Sequence, residues 1–194
     1  MKKNNLILKA LTLIISIQLG AGTVNKSPAD PREYNTFFLK NGIEVITVSD
    51  PELATSAATL SVGVGAFQDP EGAQGIAHFL EHMIFMGSKK YKSPNEYMEF
   101  ISQNGGSTNA FTAAEQTTYL FSINSKQFAP ALDRLSSAIK APLFDGTMVE
   151  KEINAVNSEW LKSRQTDGFI QQRTLALTGN PSHPRVKLGV GNKD

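Results

Sequence analysis

The stretch from Gly75 to Met86 is apolar apart from His78, Glu81 and His82. A helix that is apolar nearly all the way round packs inside its domain, so the fold must wrap this segment. Its three polar side chains then need partners, because a buried polar group without one is costly. At about 100° per residue, His78 and His82 lie about 40° apart on one helix face, with Glu81 about 60° from His78. Both imidazoles can reach one metal ion, and Glu81 can approach a water beside it. A single histidine on an apolar helix is more often a hydrogen-bonded core residue. Here two of only three histidines bracket an acid, which favours a metal site carrying its own base.

The chain contains no cysteine, so thiolate ligands, a thiol nucleophile, a disulfide framework and a lipidated cysteine are all excluded. Any metal must take nitrogen and oxygen ligands. Catalytic zinc commonly uses three protein ligands, the third often a carboxylate. Glu152 and Glu159 are candidates on a later predicted helix, because residues seven apart are only about 20° from eclipsed. By themselves they are ordinary exposed helix charges. His183, between Ser182 and Pro184, reads as structural.

The length of 194 residues and 40% apolar content suit about one globular domain, and a net charge of +1 gives no support for a nucleic-acid partner. Lys2 and Lys3 precede an apolar run from Ala10 to Leu19, followed by Gly20-Ala21-Gly22. Residues 1–22 therefore read as a cleaved signal peptide rather than a stable membrane anchor, since Lys9, Ser16 and Gln18 leave too short a span. Export without disulfides fits a periplasm. Residues 23–35, with Pro28 and Pro31, read as a flexible lead-in, and residues 36–194 as the folded domain.

Within that domain, residues 36–48 are expected to form a hairpin about Asn41-Gly42, and the alternating Ala58 to Val64 a half-buried strand. The buried helix follows from Gly75 to Met86. Ser93-Pro94-Asn95-Glu96 predicts a capped helix start with a stop at Gly105-Gly106. Antiparallel strands are expected at Ser107 to Ala113 and Thr117 to Ile123. Helices are predicted over Gln127 to Lys140 and from Thr147, with Glu150 completing a capping box, to about Ser163.

Several segments together resemble the inverzincin zinc metallopeptidases, the family of pitrilysin and insulysin (insulin-degrading enzyme), in their N-terminal catalytic domain. They are Gly75-Ile76-Ala77-His78-Phe79-Leu80-Glu81-His82-Met83, Gly105-Gly106-Ser107-Thr108-Asn109-Ala110-Phe111-Thr112, Ala131-Leu132-Asp133-Arg134 and Glu152-Ile153-Asn154-Ala155-Val156. The order His-x-x-Glu-His is itself the inverzincin signature. In that family the distal glutamate lies 77 residues past the second histidine, and here 159 − 82 = 77.

The resemblance implies an α+β fold of two layers, with helices packed on a mainly antiparallel sheet. It also implies a zinc-dependent metalloendopeptidase that hydrolyses peptides. His78, His82 and Glu159 would be the ligands of one Zn²⁺ per chain, Glu81 the general base and Glu152 a supporting catalytic carboxylate. Asn109 and Ala110 match an edge strand that pairs with the substrate backbone. Family members enclose peptide substrates between two halves, so a second peptidase-like half or subunit is an expected partner, and the chain reads as incomplete at its C-terminal end. The competing reading is a truncated or non-catalytic peptidase-like domain that binds peptide or a partner subunit.

Overall fold

A computed structural model describes residues 24–193. The expected signal peptide, residues 1–22, lies outside the described residues. The described residues fall into two compact units that divide between residues 53 and 54. Among the described residues no helix is long and apolar enough to cross a membrane.

In the first unit, β1 (Glu33–Phe38) and β2 (Glu44–Ser49) form an antiparallel hairpin, with Phe37 opposite Val45. β1 therefore begins inside the expected lead-in. The Asn41-Gly42 turn is present, but Asn41 does not share the positive φ of Gly42 (86°). The connection is thus a longer loop closed by the Leu39 N–H donating to the Ile43 carbonyl at 2.8 Å, not a two-residue turn.

The second unit has two layers. Its sheet has the order β3-β5-β4 and is fully antiparallel, with β3 at Thr55–Val62, β4 at Ser107–Thr112 and β5 at Thr117–Asn124. β3 starts and ends earlier than expected. Ala58 and Leu60 face the core as the alternation predicts, whereas Val62 and Val64 are exposed.

The helices are α1 (Ile76–Ile84), α2 (Glu96–Gln103), α3 (Phe128–Lys140), α4 (Gly146–Ser163) and α5 (Asp167–Leu177). The core sits where alternate β5 residues Tyr119, Phe121 and Ile123 meet Ile84 and Phe85 at the end of α1, Ile101 of α2, and Ala131 and Leu135 of α3. Phe121 is about fully buried and packs its ring against Phe128 at 5.7 Å between centroids. Phe121→Ala is expected to cost about 3–5 kcal/mol of stability, read from a denaturant melt. A loss below 1 kcal/mol would mean that β5 is not the centre of the core.

Two helix starts differ from the sequence expectation for local reasons. Ser93 does not cap α2; its hydroxyl donates to the Pro94 carbonyl, and Asn95, at φ 65°, takes the cap position instead. α4 is capped by Asp145, whose carboxylate accepts from the Thr147 and Met148 N–H groups. Asp145 outcompetes Thr147 because a carboxylate is the stronger acceptor and also complements the helix dipole. α2 ends as expected, with Gly105 in the left-handed region just past it (φ 71°).

Candidate metal centre

α1 is only partly enclosed. Ala77, Glu81, Met83 and Ile84 are buried, but Ile76 and Leu80 are exposed. The expected helix, buried all round, is therefore a helix with one open side. Its start is fixed by Asp69, itself buried, whose two carboxylate oxygens accept from the Gly75 N–H at 2.6 Å and the Ala77 N–H at 3.0 Å. Capping two otherwise orphaned donors with a carboxylate anchors the turn that presents His78.

α1 packs against α4, and the two helices bring His78, His82 and Glu159 together, with one ligand atom of each within 4.8 Å of the others. Glu159 Oε2 lies 3.4 Å from His78 Nε2, and Oε1 lies 3.7 Å from His82 Nε2. Glu152, two turns back on α4, does not face that point. Its Oε2 lies 3.0 Å from His82 Nδ1. Val156, buried between the two glutamates on α4, keeps that face against its neighbours.

The rings' second nitrogens settle which atoms are free. His78 Nδ1 lies 2.9 Å from the Val190 carbonyl oxygen, which can only accept, so Nδ1 carries the hydrogen and Nε2 keeps its lone pair. Glu152 Oε2 takes the corresponding place behind His82 Nδ1, and a carboxylate oxygen accepting there gives His82 the same tautomer. Two imidazole lone pairs and one carboxylate then converge on one point, each ring held from behind by an oxygen. This is a nitrogen and oxygen donor set suited to zinc, with the outer hydrogen bonds that metal-binding histidines use. The residues present fit the ion.

Glu81 points elsewhere. It is buried, and its Oε2 accepts a hydrogen bond of 2.6 Å from the hydroxyl of Thr112 at the end of β4. Tyr119, opposite Ala110 in the sheet, is near enough to feel it. Burial pushes the Tyr119 phenol up to about 12, and the Glu81 charge adds to the shift, so the phenol stays neutral beside the acid. β4 is an edge of its sheet, with Asn109 exposed and Ala110 half-buried. His183 stands apart, accepting from the Arg185 N–H at 3.1 Å and packing edge-on to Phe67, a structural role.

Thr112, Val190 and Asp69 are parts of this region that sequence reasoning missed. Thr112 closes a motif noted for its likeness to a known pattern, but nothing local marks it as a partner of Glu81, 31 residues away. Val190 acts through its backbone, which no side-chain pattern reveals.

A two-layer α+β domain with such a histidine pair and distal carboxylate has the form of a metallopeptidase domain. Insulinase (Peptidase family M16) matches residues 44–181, and the chain belongs to that family. It is 44% identical over 170 residues to the insulin-degrading enzyme of Homo sapiens, covering 88% of this chain and 17% of that protein. It is 43% identical over 170 residues to protease 3 of Escherichia coli (strain K12), covering 88% and 18%. The crystal structure of pitrilysin superposes with a TM-score of 0.84 at 41% identity, over 90% of this chain and 19% of that one. The chain thus spans less than a fifth of the length of these relatives.

Proposed function

We propose that this chain carries the zinc-binding catalytic domain of a metalloendopeptidase that hydrolyses peptides. The observation that supports this most is the convergence of His78, His82 and Glu159 on one point, with Glu81 buried and hydrogen-bonded on the same helix as the two histidines. Relatives named insulin-degrading enzyme and protease 3 favour peptides as substrates. His78, His82 and Glu159 would hold one zinc ion. When bound, zinc supplies Lewis acidity, acidifying water and polarising a carbonyl.

The remaining work falls to this chain's own side chains. Glu81 takes a proton from the attacking water and returns it to the departing amine, the role of a general base that then turns acid. Thr112 fixes the carboxylate of Glu81 by holding one oxygen, so the proton acceptor keeps one orientation. Glu152 holds the His82 ring and sets its tautomer, which assists without direct ligation. The exposed edge of β4 at Asn109 and Ala110 offers backbone groups to an extended peptide, a mode with affinity from main-chain hydrogen bonds and limited sequence selectivity. Export to a periplasm, and a second peptidase-like half or subunit that encloses substrate, belong to the same reading. The first rests on Lys2, Lys3 and the apolar run after them, the second on the relatives' greater length.

Calorimetric titration with zinc tests this directly. One equivalent per chain, removed by a chelator and restored by added zinc, is expected; metal clearly below one equivalent that added zinc does not raise would favour the non-catalytic alternative. Thr112→Val should lower turnover about tenfold with zinc affinity unchanged, since the lost hydrogen bond to a charged group is of order 1.5 kcal/mol. Equal turnover would remove Thr112 from the account.

A further inference from the structure

The residues after α5 return across the start of α1 and are tied down at each step. Arg173 of α5 donates through Nη1 to the carbonyls of Val186 at 3.0 Å and Lys187 at 2.8 Å. The Lys187 ammonium donates to the carbonyls of Phe67, at 2.7 Å, and Asp69, the residue that caps α1. The Leu188 N–H donates to Gln74 Oε1 at 2.6 Å, and the Lys193 N–H to Asn157 Oδ1 on α4 at 3.3 Å. Gly191 is buried and lies so close to Gly75 that a Cβ on Gly75 would stand 2.2 Å from the Gly191 Cα. Both glycines have positive φ, 86° at Gly75 and 75° at Gly191, a conformation that side chains disfavour, and a Cβ on Gly191 would press on Gly75 Cα at 3.1 Å. Between these anchors sits Val190, whose carbonyl receives the His78 ring.

We infer that Lys187–Gly191 is a positioning strap for His78, and that the metal affinity of the site depends on it. The histidine lies on α1, but its tautomer and ring direction are set by a backbone carbonyl 112 residues away. That carbonyl is placed by the lysine and glycine contacts, none of which touches the metal point. A strap that shifts leaves the ring free to rotate or change tautomer, and Nε2 no longer faces Glu159. By linkage, metal binding must in turn hold the strap in place. The inference rests on the proposed zinc reading and adds to it the segment that makes His78 competent.

Lys187→Met keeps the aliphatic stem and removes the ammonium donors; Gly191→Ala disturbs the crossing with Gly75. Each should weaken zinc binding about tenfold or more, the usual cost of losing an outer partner of a ligand histidine. Nitrogen chemical shifts of metal-free protein should show His78 in the Nδ1–H form in the unaltered chain and mixed tautomers in Lys187→Met, a change that simple loss of stability does not produce. If the unaltered chain binds no zinc, the metal reading itself fails. If it binds zinc and a folded variant binds equally well, only the strap inference falls. Should both variants fail to fold, hydrogen exchange of the unaltered chain decides: zinc should slow the amides of residues 187–191 severalfold, and an unchanged rate there overturns the inference.

Discussion

Glu81→Gln is expected to lower peptide hydrolysis by about 10²–10⁴-fold while zinc stays bound with near-normal affinity. The substitution keeps the size of the side chain and an oxygen able to accept from Thr112, so the packing around this buried position is retained. What it removes is the capacity to take a proton. The geometry separates the two roles: His78 and His82 share a point with Glu159, whereas Glu81 is held on the β4 side by Thr112. Hydrolysis is best followed with a quenched fluorescent peptide in a polypeptide whose unaltered form turns over, beside a zinc titration of the same samples. Retained turnover would sink the assignment of Glu81, and loss of zinc would mean that Glu81 belongs to the ligand set.

The second large effect is expected at Glu159. Its carboxylate spans the two rings, at 3.4 Å from one Nε2 and 3.7 Å from the other, and its side chain is 49% exposed. An exposed carboxylate is retained in such a place at little folding cost, so its loss should matter for metal and hardly for the metal-free fold. Glu159→Gln should weaken zinc binding by at least about 100-fold, beyond the usual effect of an outer partner. With zinc at 100 times the dissociation constant of the unaltered chain, binding adds about 2.7 kcal/mol of stability. The variant should lack nearly all of it, lowering the zinc-loaded melting temperature by about 5–11 °C while the metal-free melt is unchanged. A zinc-dependent shift of full size in the variant would exclude Glu159 as a ligand.

The legible parts of the site were those that a helix makes local. His78 and His82 one turn apart, with Glu81 beside them, follow from helix geometry alone. Glu152 and Glu159 follow in part, since spacing puts both on one face of α4 but does not say which one meets the histidines. The family resemblance implies that choice; in the structure Glu159 faces both Nε2 atoms and Glu152 stands behind His82. The antiparallel pair of β4 and β5 was legible because a polar turn separates two β-rich runs.

What stayed hidden is of two kinds. Long-range partners such as Thr112 for Glu81, or the Val190 carbonyl for His78, depend on how the layers stack and leave no trace in local pattern. Local competitions are the other kind. Asp145 and Thr147 both offer caps for α4, and Ser93 and Asn95 both border α2; the outcome turns on backbone conformation, which one-dimensional pattern does not encode. α5 escaped notice because its apolar residues are spread around the helix, with Ile170, Leu175 and Leu177 exposed, so no amphipathic period marks it.

X-ray absorption at the zinc edge of the zinc-loaded chain tests the central claim most directly. The account predicts nitrogen and oxygen ligands at about 2.0–2.2 Å, with the outer scattering of two imidazole rings that falls to one ring in His82→Ala. A spectrum without imidazole scattering, or one left unchanged by His82→Ala, would contradict it.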